Sequence, residues 1–316
     1  MRNKTPSIGI GMLGVAALCV WPLVDFDART YVLQVAIFLF MNIVLAQSYD
    51  LVAGYMGYVN LGHIAFFGLG AYSFGILFNV GLPTWSVLAL VAGCGVGFAA
   101  SLSIPFFRLR GAYFSLAAFG LVKLMEYMTN NLGWLTGGSN GLKIAPANRT
   151  FTVYYLSLLL VLAVVLSSWV ISRSRLGLAM KSIREDEDVA RDFGVPTRRI
   201  KTQALILSSI FPALMGGLYT YTLNFIDSEQ VYGLRIALTP IAMAMLGGSG
   251  LLIGPLLGVI FLYTAEELIW THLEHLHGAI LGLVIVFVGL FMPGGLARLP
   301  MVAEVVHRLG LAEEEA

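Results

Sequence analysis

The sequence carries little charge for its length. Of its 316 residues, 12% are charged and 58% are hydrophobic, whereas a soluble domain has about 25% charged residues. The mean hydropathy is +0.83. A net charge of +1 gives no basis for binding nucleic acid. Because apolar runs of about twenty residues recur along the chain, the composition excludes an ordinary soluble domain and predicts a polytopic membrane protein.

The residues needed for several kinds of chemistry are also scarce. The two cysteines, Cys19 and Cys94, lie within apolar runs, so we interpret them as small core residues rather than as a disulfide or metal site. The chain contains no Gly-Lys-Ser or Gly-Lys-Thr, the end of the phosphate-binding loop motif. The sequence therefore predicts neither an enzyme nor a cofactor bound to this chain, and ATP hydrolysis would need another polypeptide.

Apolar runs bounded by charge, glycine or proline predict an all-α bundle of about ten membrane-spanning helices, some short or broken. Each span must be helical because hydrocarbon offers its backbone polar groups no water. A signal peptide is an alternative for the first run and would leave nine spans. We treat 1–316 as one transmembrane domain. The predicted spans are 8–24, 31–53, 64–80, 85–104, 112–131, 152–171, 202–223, 233–247, 251–270 and 279–297.

Lysine and arginine are distributed unevenly between the two sets of loops. If the N-terminus is cytoplasmic, the inner loops carry fourteen of these residues, and the outer loops carry three, namely Arg29, Lys143 and Arg149. Positive charge accumulates on the cytoplasmic side of membrane proteins. The bias predicts cytoplasmic N- and C-termini, a cytoplasmic loop over 172–201 and a cytoplasmic tail over 298–316.

Two glycine-rich stretches interrupt apolar runs, one in each half of the chain. They are Ala53–Tyr72 and Met245–Tyr263. Paired breaks of this kind are typical of an internal repeat with a transport path between the halves, so we predict a weak repeat. The alternative is that the glycines only allow helices to pack closely, as small residues do in membranes. The sequence leaves both interpretations open.

The predicted cytoplasmic loop at 172–201, called the charged loop below, contains a large share of the chain's charge. Eleven of the thirty-seven Lys, Arg, Asp and Glu residues lie within 174–199. Residues 179–193 lack Gly and Pro and are followed by Gly194 and Pro196, which predicts a helix that ends there. Such a helix could lie on a membrane, fit a partner's groove or be only solvated. Its apolar stripe would contain Ala179, Ile183, Ala190 and Phe193.

The stretch from Gly177 to Gly194 resembles the cytoplasmic loop of the inner-membrane permeases of branched-chain amino acid ABC importers of the high-affinity leucine/isoleucine/valine type. The chain is more similar to the second of the two sister permeases. It departs from the pattern at Ala112, where many members have an acidic residue, so the urea, amide and aromatic-acid branches stay open. Other matching motifs, in the family's order, are Tyr55–His63, Ala65–Tyr72, Arg108–Phe114, Leu135–Leu142 and Leu246–Pro255.

The resemblance implies a function and a set of partners. The chain would be a permease subunit in a bacterial or archaeal inner membrane, surrounded by lipid. It would pair with a sister permease as a heterodimer, with two ABC ATPases that bind ATP, and with an extracytoplasmic solute-binding protein. The charged loop would be the coupling helix that docks on an ATPase. The implied coupling residues are Gly177, Ala179, Ile183, Arg184, Glu185, Asp186, Glu187 and Gly194.

A polar solute crossing an apolar bundle would need a few donors and acceptors along its path. Broken helices supply free backbone groups for this purpose. The alternative is that the polar side chains near the breaks only satisfy the local backbone or belong to an ordinary external turn. The candidate pathway residues are Asn60, Gly62, His63, Tyr113, Thr136, Gly137, Gly138 and Asn140.

Charges within the spans give a further prediction and a rival function. Lys123 and Glu126 lie three residues apart on one helical face, which predicts an intramembrane ion pair, with a role in substrate passage as the alternative. The rival function is a secondary transporter driven by an ion gradient. Such a transporter would depend on intramembrane acids, here Glu126, Glu266 or Glu267.

Two other polar positions are expected to be solvated. Asp50 lies near the cytoplasmic end of its predicted span. The stretch Thr271–His277 has His272 and His275 one helical turn apart, a spacing that could bind zinc. We interpret it as a solvated outer turn and predict no metal site.

Overall fold

The structure, a computed structural model, describes residues 29–145, 149–272 and 295–298 and the single residues 18, 22 and 282. The predicted spans at 8–24 and 279–297 lie almost entirely outside the described residues. The predicted tail at 298–316 and the His-rich stretch beyond His272 also fall there, with the exception of Arg298.

Helices make up nearly all of the described chain, and each predicted span from 31–53 to 251–270 falls on one of them. Within the described ranges, α1, α3, α6 and α9 are long and apolar enough to cross a membrane. A mostly helical multi-pass chain is therefore confirmed. The prediction of about ten spanning helices is not confirmed within the described residues, where four helices meet this criterion. The helices are α1 (Arg29–Met56), α2 (His63–Asn79), α3 (Thr84–Phe106), α4 (Ala112–Asn131), α5 (Gly133–Thr136), α6 (Thr150–Ser172), α7 (Arg175–Glu185), α8 (Glu187–Asp192), α9 (Thr197–Leu223), α10 (Ser228–Tyr232), α11 (Leu234–Gly247) and α12 (Gly254–His272).

Two very short strands depart from the all-α prediction. Strand β1 (Leu142–Lys143) pairs antiparallel with β2 (Phe225–Ile226). The Asn79 side chain donates to the Lys143 carbonyl at 2.9 Å. Backbone groups outside the helices still need hydrogen-bond partners. These contacts supply some of them and connect the end of α2 to the segments after α5 and α9.

Helix α9 packs closely against α2 in the middle of the bundle. A Cβ on Gly70 would overlap the carbonyl oxygen of Ala213, and one on Gly216 would overlap the carbonyl oxygen of Phe67. The two backbones therefore lie in direct contact, as small residues allow in membrane bundles. The close-packing interpretation holds for glycine in this part of the Ala53–Tyr72 stretch.

Helix α3 lies at the periphery of the described bundle. Only one stripe of it is buried, formed by Val87, Val91, Gly95, Ala99 and Ser103. Cys94 lies beside this stripe and is exposed. The prediction that Cys94 is a core residue is therefore wrong: a long apolar run facing lipid has the same composition as one facing a core.

The charged loop contains two helices where the sequence predicted one over 179–193. The chain breaks at Asp186, whose carboxylate accepts hydrogen bonds from the backbone N–H groups of Asp188 and Val189 at 2.9 and 3.0 Å. Aspartate is a preferred N-cap because its side chain satisfies amides that the first turn leaves unpaired. Asp186 therefore starts α8 and ends α7. Gly194 has φ of +86°, the left-handed conformation predicted for it.

We expect Gly216→Ala to destabilise the bundle, because the added methyl group must displace the backbone of α2. Overpacking of this kind costs about 1–3 kcal/mol. The measurement is the thermal midpoint of the purified protein in mild detergent. Gly97→Ala on α3 is the matched control, since a Cβ there meets no atom within 4 Å and alanine is the better helix former. Equal shifts in the two variants would contradict the close α2–α9 contact.

Candidate coupling site at one end of the bundle

The charged loop lies against the break between α1 and α2. Met180, Ile183 and Ala190 are buried and pack with Tyr55 and other residues at the end of α1. Part of the predicted apolar stripe of the loop therefore faces the chain's own bundle. Phe193 does not belong to that face, because it is 86% exposed and follows the break at Asp186.

Glu187, in the first turn of α8, is held by two groups from other segments. Lys201 on α9 donates from Nζ to Glu187 Oε1 at 2.6 Å, and the Tyr58 hydroxyl donates to Oε2. The Lys201 side chain is 2% exposed, and its Nζ lies 4.9 Å from the centre of the Tyr58 ring. A buried ammonium needs a partner of this kind, so the three residues fix α8 to the bundle.

Glu187 and Asp188, in the first turn of α8, are held in their ionised form. Burial raises the pKa of the Glu187 carboxyl, but the hydrogen bonds from Lys201 and Tyr58 and the charge of Lys201 outweigh it, so the pKa lies below its usual value. The hydrogen bonds from Arg110, at 2.9 and 3.0 Å, lower the pKa of the Asp188 carboxyl. Both groups therefore accept hydrogen bonds as carboxylates at neutral pH.

Asp50 is fully buried, so the expectation that it is solvated is wrong. The turn between α11 and α12 folds over the end of α1, and the Asp50 carboxylate accepts hydrogen bonds from Ser249 Oγ and, at 3.0 Å, from the Gly250 N–H. The amide of Gln47, one turn earlier, donates to the Leu252 carbonyl at 3.3 Å. The usable signal was an acid in an apolar run, which is rare without a partner.

Arg184 of α7 reaches this same place. Its Nη1 donates to the carbonyl of Gly54, and Gly54 lies so close to Asp50 and Gly250 that a Cβ on it would overlap both. We call Asp50, Gly54, Arg184, Ser249 and Gly250 the Asp50 junction. The junction brings the two predicted glycine-rich breaks into contact and joins them to the charged loop.

Three predicted pathway residues lie together near this end of the bundle. The Asn60 side-chain oxygen accepts from the Gly62 N–H at 3.0 Å, and His63 Nε2 lies 2.9 Å from Ser48 Oγ. Both side chains thus bond locally, as the alternative interpretation expected. Among the described residues, however, Asn60 Nδ2 and His63 Nδ1 are buried without a hydrogen-bond partner.

A small pocket borders this group. Its volume of about 10 Å³ gives room for roughly one water molecule. The pocket is too small for an amino acid in this conformation of the chain. It is lined by Asn60, Gly62, Phe66, Leu102, Phe106, Phe114, Leu121 and Leu205.

Of the other predicted pathway residues, Thr136, Gly137, Gly138 and Asn140 lie beyond the C-terminal end of α4. Thr136 Oγ1 donates to the Thr129 carbonyl at 2.6 Å and accepts from the Gly138 N–H at 3.2 Å, so it shapes its own loop together with Gly137 and Asn140. Tyr113, 75% exposed, is at the start of α4. Twenty residues of helix span about 30 Å, so the structure does not bring the predicted pathway residues into one site.

The charges that a secondary transporter would use have partners in the described chain. Lys123 Nζ lies 2.7 Å from Glu126 Oε2. Glu266 Oε1 lies 2.5 Å from Arg235 Nη2, and the Tyr31 hydroxyl donates to Glu267 at 2.6 Å. In this arrangement the acids serve to pair charges and hydrogen-bond donors.

We expect Glu187→Gln to loosen the charged loop, because it leaves the buried Lys201 ammonium without a counter-charge. Breaking a buried pair in this way costs about 3–5 kcal/mol. Trypsin cleavage at Arg191 and Arg198 in the folded protein should become faster. Glu185→Gln, which changes an exposed carboxylate on the same loop, is the control. The same cleavage rate in both variants would contradict the Glu187 contact.

The contribution of Glu187 should also depend on pH. Because its pKa is lowered in the folded protein, the stabilisation is present above the carboxyl's ordinary value of 4.5 and is lost as pH falls below it. Hydrogen exchange of peptides from 175–192, corrected for the intrinsic rate, should show protection at pH 7 that decreases below about pH 4.5. If Glu187→Gln showed the same decrease, the pH dependence of the protection would belong to another group.

The chain is similar in sequence to known transport proteins. A family model described as the permease component of branched-chain amino acid transport systems matches residues 31–289. The high-affinity branched-chain amino acid transport system permease protein LivM of Escherichia coli (strain K12) is 29% identical, over 95% of this chain and 76% of its own. LivM of Salmonella typhimurium (strain LT2) is 28% identical, over 89% and 72%.

More distant relatives come from a second transport system. The autoinducer 2 import system permease protein LsrC of Escherichia coli O9:H4 (strain HS) is 26% identical, over 73% of this chain and 70% of its own. No solved structure matches the chain. Because the family model covers well over half of the sequence, the chain belongs to the family of branched-chain amino acid transport system permease components.

Proposed function

We propose that the chain is the transmembrane permease subunit of an ABC importer that moves branched-chain amino acids, or a related small polar solute, into the cell. Membership of the permease family supports the role, and the names of the LivM relatives support the substrate class. The observation that carries the proposal is the charged loop, which is fixed to the bundle on one side and joined to both helix breaks.

The outer side of the charged loop supports docking on an ATPase. Leu178, Val189 and Phe193 are 71%, 49% and 86% exposed. Large apolar side chains that are rimmed by charged residues and exposed to solvent are typical of a protein interface. Since the chain has no phosphate-binding loop motif, ATP would be bound and hydrolysed on two separate ATPase subunits. The loop is the surface through which they would act.

The family assignment favours an importer permease over the rival secondary transporter. The structure gives the rival no added support, since Glu126, Glu266 and Glu267 have partners. A multi-pass inner-membrane subunit that works with other ABC subunits follows from the family.

The finer assembly is part of the proposal. It contains one permease domain over 1–316, a sister permease as heterodimeric partner and an extracytoplasmic solute-binding protein. The proposed orientation has both termini in the cytoplasm. Arg110, Arg184 and Lys201 lie at the end of the bundle that holds the charged loop, whereas Lys143 and Arg149 lie at the other end. This separation supports the charge bias of the sequence.

The pathway residues would contact the solute in two separate groups, one at each end of the bundle. Thr136, Gly138 and Asn140 would face the delivered solute at the outer end. Asn60 and His63, each with a buried nitrogen that lacks a partner within the described residues, would act nearer the charged loop. A conformational change must enlarge the small pocket before solute can reach Asn60.

We expect the double variant Leu178→Ala with Phe193→Ala to lose the ATPases while the permease stays folded. Both side chains are exposed, so their removal takes apolar area from the interface and not from the core. The measurement is co-purification of ATPase subunits with the tagged permease from native membranes, together with leucine uptake. Asp186 is kept because it caps α8.

The matched control for this experiment is Leu159→Ala with Leu166→Ala, on an exposed face of α6. It removes similar apolar area away from the charged loop and should leave ATPase recovery unchanged. Full ATPase recovery in the Leu178 and Phe193 variant would refute docking through this face. Uptake driven by an ion gradient without ATPases would refute the importer assignment.

A further inference from the structure

The Asp50 junction joins three segments that are distant in sequence. Asp50 and Gly54 belong to the last turns of α1, Ser249 and Gly250 to the turn between α11 and α12, and Arg184 to α7. The hydrogen bonds from Ser249 and Gly250 to Asp50 hold the turn against α1. We call this contact between α1 and the turn the seam. Arg184 adds the charged loop to this seam.

Arg184 lies directly over the seam. A Cβ on Gly250 would lie 2.6 Å from Arg184 Nη1 and 2.9 Å from the Gly54 carbonyl oxygen. The guanidinium, the carbonyl and the turn are therefore packed without room for a side chain at either glycine. Any movement of α7 away from the bundle must withdraw this guanidinium from the Gly54 carbonyl.

Glu187 and Arg184 hold the charged loop in different ways. The partners of Glu187 are Tyr58, in the segment after α1, and Lys201, on α9. Glu187 thus fixes where the loop lies, whereas Arg184 connects it to the contact between the two helix breaks.

We propose that Arg184 is a positioning residue for transport, which makes closure of the seam between α1 and the α11–α12 turn depend on how the charged loop is seated. This inference rests on the proposed importer function. With the loop seated, Arg184 holds the Gly54 carbonyl beside Gly250. When an ATPase shifts the loop, the donor leaves, and α1 and the turn are free to separate at this end of the bundle.

The first experiment uses the complete importer in proteoliposomes, with leucine as the probe. We expect Arg184→Gln to keep ATPase binding and ATP hydrolysis within about twofold of the wild-type values. The leucine imported per ATP hydrolysed should fall about tenfold, because that is the effect of losing one hydrogen bond to a charged group. Arg108→Gln, an exposed arginine at the same end of the bundle, should leave the ratio unchanged. An unchanged ratio in Arg184→Gln overturns the proposal.

The second experiment does not need transport. Hydrogen exchange of the peptide that covers 248–253, in the same complex, should become about tenfold faster in Arg184→Gln, since the Gly250 N–H is released when the seam opens. Arg108→Gln should not change it. If the wild-type importer fails to carry leucine, the proposed substrate is wrong, and the exchange rate still decides the role of Arg184.

A second, more conservative variant tests the same seam in case Arg184→Gln does not assemble with the other subunits. Ser249→Ala removes one hydrogen bond to Asp50 and adds no bulk, so it should lower the leucine-to-ATP ratio and speed exchange at 248–253 in the same direction. Where both variants assemble, the double variant should lose less than the product of the single losses, since the residues act on one seam. Normal coupling in Ser249→Ala, or independent losses, overturns the proposal.

Discussion

The arrangement at one end of this bundle depends on a single requirement: the backbone of a broken helix must find hydrogen-bond partners where water is scarce. Between α11 and α12 the chain leaves the helix, and the Asp50 carboxylate accepts from the Gly250 N–H that no helix satisfies. That contact places the turn on α1 and brings Gly54 against Gly250. The Gly54 carbonyl then becomes the acceptor for Arg184.

The charged loop has two different sides in the structure. Toward the bundle, Arg184 and Glu187 bond to groups in or near the helix breaks. Toward solvent, the loop presents Leu178 and Phe193 among charged residues. A loop held tightly on one side and apolar on the other can receive force from a partner and pass it inward without unfolding. A loop that was only solvated would need neither a buried partner such as Lys201 nor an exposed apolar side chain such as Phe193.

The parts that could be predicted from the sequence are those decided by composition over a long window. The helix at 152–171 follows from its apolar length alone, and Gly194 follows from the backbone conformation that ends a helix. Asp50 could not be placed, because its partners Ser249 and Gly250 lie some two hundred residues away. Asp186 misled the helix prediction, because one side chain can cap a new helix inside a stretch without Gly or Pro.

Glycine has two different roles in the glycine-rich stretches, and both depend on its missing side chain. At Gly70, which lies against Ala213, the missing side chain lets two helices touch. At Gly54 and Gly250 it lets two broken ends meet under the guanidinium of Arg184. A close helix contact resists movement, whereas a seam held by a few polar hydrogen bonds can open and close. A transport path through this subunit needs the first kind of contact as its frame and the second as its moving part.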